Sequence, residues 1–320
     1  MRESYLWAAG LLTGLAIPAS ALPQMSIILP ETSQFLGNLR QNLQITVDEN
    51  HITHIDMALP ELTKPELPEP LVNFNSLPSP VRLVSGNQLY HHRFAALQTG
   101  QIYTRIPADT VQPLGVSAPK RQLTYEDWKH LLALEAKAIS KGQGNNALGI
   151  LLGDSLSMWF PREKLPHGKF WLNQGISGDT SGGIYRRLGA FSRTRSDVIY
   201  IMAGINDLRR GESDEEILRN HRRIIRKLRQ SHPNSQIIVQ SILPTRLESI
   251  PNSRIVEINK QLALIAEAEN AKYLHIYDWF TDFEGNLRSD LTTDGLHLSE
   301  DGYDVWRAAL NHLKWSVPRN

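Results

Sequence analysis

Short apolar segments that alternate with helical patterns dominate the second half of this chain of 320 residues. Strands are predicted at ALGILLG (147–153), FWLNQG (170–175), SDVIYIMAG (196–204), SQIIVQSIL (235–243) and AKYLHIYDW (271–279). Helices are predicted at 214–230, 253–269 and 299–313. Apolar strands separated by helices are typical of a parallel sheet that is covered on both faces. The sequence therefore predicts an α/β fold, a three-layer α/β/α domain with a mostly parallel central sheet, over residues 121–320.

The residues before this domain have a different, proline-rich sequence pattern. Six prolines interrupt residues 59–80, which favours an extended linker over a helix. The following stretch, QLYHHRFAALQTGQIYTRIP, is predicted to form two short strands around Thr99 and Gly100, as in a hairpin. Thr124 is a candidate N-cap for a helix that ends at Gly142 to Gly144. Residues 22–120 are therefore predicted to be a proline-rich extension with a small extended or hairpin region.

The first 21 residues have the order of a secretory signal peptide. Arg2 is followed by an apolar stretch from Tyr5 to Ile17 and then by Ala19-Ser20-Ala21, with cleavage expected after Ala21. The apolar stretch is shorter than the roughly 20 residues that a membrane-spanning helix needs. An uncleaved anchor and an ordinary buried helix remain as alternatives. Export to the periplasm or the outside of the cell is the favoured interpretation.

Charge and cysteine content exclude several classes of function. The formal net charge is +1, which gives no reason to expect a nucleic-acid partner. The chain has no cysteine, so disulfides, thiolate nucleophiles and cysteine-bound metals are excluded. Neither an HExxH sequence nor a glycine-rich GK[ST] phosphate loop is present. No cofactor and no metal site is therefore expected.

Small polar motifs follow two of the predicted strands. Gly153-Asp154-Ser155 ends the first strand, and Gly204 to Asp207 follows the strand at 196–204. Ligands bind outside the carboxyl ends of the strands in open parallel sheets. Both motifs could instead be ordinary turns and helix caps. Their position at one edge of the sheet favours a binding or catalytic site.

A serine becomes a nucleophile only when a base removes its proton and a third group orients that base. His297 is the candidate base, because Asp294 precedes it by three residues in TTDGLHLSEDGY. A nucleophile also needs donors directed at the developing oxyanion. The side chain of Asn206 and the backbone N–H of Gly178, in the glycine-rich loop NQGISGDTSGG, are candidates. Each motif alone has a structural explanation.

Together, the blocks GDSLS, GISGDTS, GIND and DGLHLSEDGY resemble those of the SGNH (GDSL-type) hydrolase superfamily, in order and approximate spacing over residues 146–315. The resemblance implies a flavodoxin-like fold and a nucleophilic Ser155, with Asp294 as orienting acid and His297 as base. It also implies oxyanion donors at Ser155 N, Gly178 and Asn206. The blocks are most similar to those of bacterial esterases and lysophospholipases. By this resemblance Asp154 is a structural turn residue. Asp179 and Asp207 are interpreted as hydrogen-bond acceptors that brace the loops.

The implied activity is serine esterase action on a carboxylic ester, through an acyl-enzyme. The substrate class covers small-molecule, polysaccharide and lipid esters, including acetylated carbohydrate, short acyl esters and lysophospholipids. One alternative is an O-acyltransferase that acts on envelope polysaccharide. A second is an envelope-binding module with a vestigial site, tethered by the proline-rich stretch. An association with the cell envelope and the oligomeric state stay open.

Overall fold

A computed structural model of the protein describes residues 85–105 and 122–315. The predicted signal peptide and the proline-rich stretch at 59–80 lie outside these residues, so both stay predictions. Within the described ranges, no helix has both the length and the apolar character needed to cross a membrane.

Five parallel strands form one sheet at the centre of the domain. The strands are β1 (Leu148–Gly153), β2 (Phe170–Gly175), β3 (Val198–Met202), β4 (Gln236–Gln240) and β5 (Lys272–Leu274). Their spatial order is β2-β1-β3-β4-β5, and each neighbouring pair runs parallel. This arrangement confirms the predicted α/β fold class.

The last strand is shorter than the sequence indicates. β5 ends at Leu274, which pairs with Gln240 at the end of β4, and a 3₁₀ turn follows at Tyr277–Phe280. Because β5 lies at the edge of the sheet, β4 is its only neighbour, and the chain beyond Leu274 has no strand to pair with. The prediction of a strand over 271–279 is therefore wrong after residue 274.

Helices flank the sheet in the described part of the chain. They are α1 (Gly86–Gln98), α2 (Tyr125–Gly142), α3 (Ser155–Met158), α4 (Ser181–Arg187), α5 (Ile205–Arg209), α6 (Asp214–Ser231), α7 (Asn252–Ala268) and α8 (Glu300–Trp315). The predicted helices at 214–230, 253–269 and 299–313 are confirmed to within two residues at each end. The predicted cap of α2 is also confirmed, because Thr124 and Asp127 form a reciprocal capping box.

Apolar side chains of the strands alternate between two helical layers. On β1, Leu148 and Ile150 pack in a cluster that includes apolar residues of α2, α4, α6 and α7. Leu151, which points to the other face, packs in a cluster with residues of α8 such as Trp306. Because successive side chains of a strand point to opposite faces, each strand contributes to both layers. The three-layer arrangement is therefore confirmed.

The residues around His91 and His92 form a helix and not the predicted hairpin. Ser85 caps α1 by accepting a hydrogen bond from the N–H of Gln88. Leu89 and other apolar residues of this helix pack against α2 and against Met158. The buried positions 89, 93 and 96 have helical spacing. The hairpin prediction is wrong because position 93 is an arginine, so the buried face does not show as an apolar pattern.

An ion pair is buried where α1 meets α2. Arg93 Nε donates to Glu135 Oε1 at 2.8 Å, and Arg93 Nη2 donates both to Glu135 Oε2 and to the carbonyl oxygen of Asn173, the latter at 2.7 Å. The two side chains are 3% and 2% exposed. The pair ties α1 to α2 and to β2, so the packed domain includes residues that precede position 121.

We expect Glu135→Gln to lower the free energy of unfolding by about 3 kcal/mol, because it leaves the buried charge of Arg93 without a counter-charge. Urea denaturation measures this change. The matched control is Glu126→Gln, which breaks an exposed pair with Lys129 and is expected to leave the free energy of unfolding nearly unchanged. Equal effects of the two substitutions would contradict a structural role for the Arg93–Glu135 pair.

Candidate active site

The candidate site lies where the strand order of the sheet reverses. The chain passes from β1 to β2 on one side and returns to β3 on the other side of β1. The loops that leave β1 and β3 therefore diverge and open a crevice at their carboxyl ends, the usual ligand site in such sheets. Ser155 follows β1 and Asn206 follows β3, so both residues flank this crevice.

Ser155 is the first residue of α3. The carboxylate of Asp154 caps this short helix by accepting a hydrogen bond from the N–H of Leu156 at 3.0 Å. Ser155 is 7% exposed, and its Oγ lies 3.1 Å from Nε2 of His297. The strand-to-helix turn thus holds the hydroxyl within hydrogen-bond reach of an imidazole, as a nucleophile and its base require.

Asp294 and His297 come from one tight loop before α8. Asp294 Oδ2 accepts from His297 Nδ1 at 2.7 Å, and Asp294 Oδ1 accepts from the backbone N–H groups of His297 and Leu296 at 2.7 and 3.0 Å. Burial acts to raise the pKa of Asp294, but the hydrogen bonds from His297 and from these N–H groups outweigh it and hold the pKa below its usual range. The carboxylate therefore stays ionised and fixes the imidazole with Nε2 toward Ser155.

Gly178 lies in the loop between β2 and α4 with a φ of +75°, a left-handed conformation that favours glycine. A Cβ at this position would meet only Nη2 of Arg210, at 3.9 Å, within 4 Å. The face of Gly178 is therefore open. The neighbouring Ser177 contacts Sδ of Met158 in α3, which brings this loop next to the turn that holds Ser155.

Asn206 is buried in α5, and its side-chain amide is fixed at both ends. Its Nδ2 donates to the carbonyl oxygen of Asp179 at 3.1 Å, and its Oδ1 accepts from Nη1 of Arg209 at 3.3 Å. An amide nitrogen carries two hydrogens, so one N–H of Asn206 remains for another acceptor. Gly204, at the start of this turn, has a φ of +126° and approaches Ile242 so closely that a Cβ would lie 2.4 Å from its Cδ1.

The carboxylates of Asp179 and Asp207 brace the loops around the crevice, as predicted. Asp179 Oδ2 accepts from Nε of Arg187 at 2.6 Å, and Asp179 Oδ1 accepts from the hydroxyl of Tyr125 at 3.3 Å. Arg187 also donates through Nη2 to the carbonyl oxygen of Gly153 at 2.9 Å. Asp207 accepts from both the N–H and the hydroxyl of Ser181. These contacts join the loops that follow β1, β2 and β3.

Asp154, next to Ser155, is 1% exposed and takes no part in the hydrogen-bonded chain of Ser155, His297 and Asp294. Its Oδ1 accepts from Leu156, whereas its Oδ2 has no hydrogen-bond partner among the described residues. Burial, the largest effect, raises the pKa of Asp154 to about 7. The carboxyl is therefore half protonated near neutral pH, a property that the predicted role as a turn residue did not include.

Met158, Trp159 and Phe160, at the end of α3 and just beyond it, divide between core and surface. Met158 and Phe160 are buried, and Phe160 packs edge-on against Tyr303 and Trp306. Trp159 is half-buried. Met158 and Phe160 therefore belong to the core and do not form the wall of a long apolar cleft.

All five residues predicted for the site lie at the same edge of the sheet. Ser155, His297 and Asp294 are joined directly by hydrogen bonds, whereas Gly178 and Asn206 lie in the neighbouring loops. Their catalytic roles stay predictions. Within residues 85–105 and 122–315, no group of three or more His, Asp or Glu side chains is placed to hold a metal ion.

The sequence analysis missed the arginines and the tyrosine that support these loops. They are Arg187, Arg209, Arg210 and Tyr125. The only signal in the sequence is that Arg209 and Arg210 lie two and three residues after the GIND motif. Tyr125 lies far along the chain from its partner Asp179, and Arg187 lies far from Gly153. Their contacts therefore arise only in the folded structure.

Comparison with known proteins agrees with this geometry. Residues 139–305 match the GDSL-like Lipase/Acylhydrolase family. Because the match covers more than half of the chain, this protein belongs to that family, one of lipases and acylhydrolases. The resemblance inferred from the four sequence blocks is therefore confirmed.

Two curated relatives share part of the chain. An N-acylneuraminate cytidylyltransferase of Streptococcus agalactiae is 27% identical over 156 residues, which are 49% of this chain but only 36% of that protein. The platelet-activating factor acetylhydrolase IB subunit alpha2 of Gallus gallus is 27% identical over 136 residues, 41% of this chain and 58% of that protein. This chain thus spans about a third of the first relative and somewhat over half of the second.

Among solved structures, a Streptococcus pneumoniae protein named for platelet activating factor is similar to this chain. The TM-score is 0.54 at 25% sequence identity, and the match covers 59% of this chain and 93% of that one. The likeness supports the parallel-sheet fold.

We expect Asp154→Asn to reduce the pH dependence of stability. The pKa of Asp154 is raised from 3.8 to about 7 in the folded protein, so its contribution is fully present below 3.8 and is lost as the pH rises through about 7. Between about pH 5 and about pH 8, the unfolding free energy of the wild type should therefore fall by about 2 kcal/mol more than that of Asp154→Asn.

Urea denaturation at the two pH values tests this expectation. The control is Asp301→Asn, which removes an exposed carboxylate of α8 and should retain the wild-type pH dependence. An equal fall in wild type and Asp154→Asn would show that Asp154 binds no proton in this range.

Proposed function

We propose that this protein is a serine esterase that hydrolyses carboxylic esters through an acyl-enzyme. One observation carries the proposal, a continuous hydrogen-bonded chain through three side chains. Ser155 Oγ lies 3.1 Å from His297 Nε2, and His297 Nδ1 lies 2.7 Å from Asp294 Oδ2. This is the arrangement of a nucleophile, a base and a group that orients the base. Membership of a lipase and acylhydrolase family supports the same chemistry.

In the first step, His297 Nε2 accepts the proton of Ser155 as Oγ attacks the ester carbonyl carbon. The ionised Asp294 accepts the Nδ1 hydrogen bond and stabilises the imidazolium that forms. Side chains of His297 and Asp294 are 39% and 52% exposed. The base is therefore open to solvent, so water can reach it in the second step without a change of fold.

The tetrahedral intermediate carries a negative charge on the former carbonyl oxygen. In our proposal, the backbone N–H groups of Ser155 and Gly178 and the remaining N–H of Asn206 stabilise this charge. The C–O bond to the alcohol then breaks, and the alcohol leaves with the proton held by His297. Water repeats the sequence on the acyl-enzyme, giving its proton to His297, and the acid is released as Ser155 recovers its proton.

The proposed substrates are acetylated carbohydrates, short acyl esters or lysophospholipids. The acetylhydrolase named in the Gallus gallus relative supports a short acyl group. The burial of Met158 and Phe160 in the core favours the first two classes over lysophospholipids, because it removes two apolar side chains from the walls that a long acyl chain would need.

We expect a fluorophosphonate probe to label the wild-type protein and to leave Ser155→Ala unlabelled. The probe reacts only with a serine whose proton is taken by a base, so labelling reports the Ser155–His297 contact directly. Ser192→Ala, which changes an exposed serine far from the crevice, is the control and should be labelled like the wild type.

The same experiment separates the alternatives. An unlabelled but folded wild-type protein would reject the esterase and favour the envelope-binding module. Labelling together with transfer of the acyl group to an added polysaccharide, in place of its release as free acid, would identify an O-acyltransferase.

We expect Asn206→Ala to lower kcat about 10²–10³-fold with little change in KM, because one oxyanion donor is lost and the interaction forms only in the transition state. Initial rates on a short-chain ester measure both constants. Asn146→Ala, at the opposite edge of the sheet before β1, should retain wild-type rates. Activity of Asn206→Ala within twofold of wild type would remove Asn206 from the proposed mechanism.

A further inference from the structure

Two consecutive arginines lie at the C-terminal end of α5, three and four residues after Asn206. Each is exposed, and each contacts one of the three residues proposed as oxyanion donors. Nη1 of Arg209 donates to Oδ1 of Asn206 at 3.3 Å, and Nη2 of Arg210 donates to the carbonyl oxygen of Gly178 at 2.6 Å. Both guanidinium groups are therefore held at the edge of the crevice.

Neither of these arginines has a carboxylate partner in the described ranges. Other arginines of the domain, such as Arg254 and Arg288, pair with aspartates. Asp179 and Asp207, which directly follow Gly178 and Asn206, accept hydrogen bonds from Arg187 and Ser181. A guanidinium has five N–H donors, and Arg209 and Arg210 each use one within the described residues. Two positive charges with unused donors thus remain beside the crevice.

The position of Arg210 relates this charge to the reacting centre. Among the described residues other than Gly178 and its two chain neighbours, only Nη2 of Arg210 lies within 4 Å of the place where a side chain at Gly178 would begin. That face of Gly178 is otherwise open, and its backbone N–H is the proposed oxyanion donor. An ester whose carbonyl oxygen bound there would carry its neighbouring atoms past the guanidinium of Arg210.

We propose that Arg210, with Arg209, binds an anionic group of the substrate and makes the protein selective for esters that carry a carboxylate or a phosphate. Guanidinium groups bind both anions through strong, often bidentate hydrogen bonds. The inference rests on the proposed esterase function and specifies its substrate class. It adds no step to the reaction, because the arginines act on binding and orientation.

The test compares kcat/KM on two matched pairs of esters. In the first pair the charge lies on the alcohol side: para-acetoxybenzoate against its methyl ester. In the second pair it lies on the acyl side: the mono-para-nitrophenyl ester of adipic acid against para-nitrophenyl hexanoate. We expect the wild type to prefer the anionic member of at least one pair and to lose that preference with added salt, which screens exposed charges.

We expect Arg210→Gln to lower the anionic-to-neutral ratio of kcat/KM about tenfold for the preferred pair, since a charge-assisted hydrogen bond is lost. Arg209→Gln should lower the same ratio, and Arg210→Lys should retain part of it. The control is Arg193→Gln, an exposed arginine before β3 at the opposite edge of the sheet, which should keep the wild-type ratio.

The anionic-to-neutral ratio of kcat/KM distinguishes binding of the anion by Arg210 from a purely structural role of this arginine. If Arg210→Gln lowers the rates on both members of a pair equally, the arginine only supports the Gly178 loop and the inference is overturned. Hydrolysis of the neutral esters with no anionic preference in either pair also overturns it and leaves the esterase function intact. Failure of the wild type to hydrolyse any of the four esters, together with failure of fluorophosphonate labelling, rejects both proposals.

The assays on the anionic esters, repeated with inorganic phosphate or acetate as competitor, show which anion is preferred. Stronger inhibition by phosphate than by acetate at equal ionic strength indicates a phosphate-bearing substrate. The reverse order indicates a carboxylate, and both outcomes support an anion site. No inhibition by either anion beyond the salt effect would contradict it.

Discussion

The geometry of the crevice depends on the hydrogen bonds that the guanidinium of Arg187 donates. This guanidinium is buried between the carboxylate of Asp179 and the carbonyl oxygen of Gly153, so one side chain fixes the loop after β2 to the end of β1. The carbonyl of Asp179 in turn receives the amide of Asn206. The ends of three strands are thus connected through a few buried hydrogen bonds, and removal of this charge would leave Asp179 without its counter-charge in the interior.

The charged groups around the candidate site differ in burial and in how many hydrogen bonds they make. The buried carboxylates of Asp179 and Asp207 accept hydrogen bonds from donors on α2 and α4, which makes them structural. The exposed guanidinium groups of Arg209 and Arg210 keep most of their donors available. Asp154 differs from both, because it is buried without a second hydrogen bond and holds a proton into the neutral range. The region around the nucleophile is therefore less negative than its aspartates suggest.

Much of this structure is predictable from sequence, for reasons that are local. The strands up to β4 are apolar segments that end in glycine or polar residues, and the cap at Thr124 is encoded within four positions. The blocks around Ser155, Gly178, Asn206 and His297 locate the site for the same reason. By contrast, the length of β5 depends on where β4 ends, and α1 presents a buried Arg93 whose partner Glu135 lies 42 residues away. Such features follow from tertiary contacts, which no local pattern reports.

The loop that carries Asp294 and His297 has an evolutionary consequence. Most of the hydrogen bonds that shape this acid and base pair arise within residues 292–297, including those from Thr292 to His297 O and to Asp294 from its own backbone neighbours. One hydrogen bond links the pair to Ser155, which begins α3 after the distant β1. The hydrogen-bonded chain of Ser155, His297 and Asp294 is therefore assembled from two separable parts, a turn and a loop at opposite ends of the domain sequence. During evolution, insertions between these parts can reshape the pocket around the site without changing the contacts between Asp294 and His297.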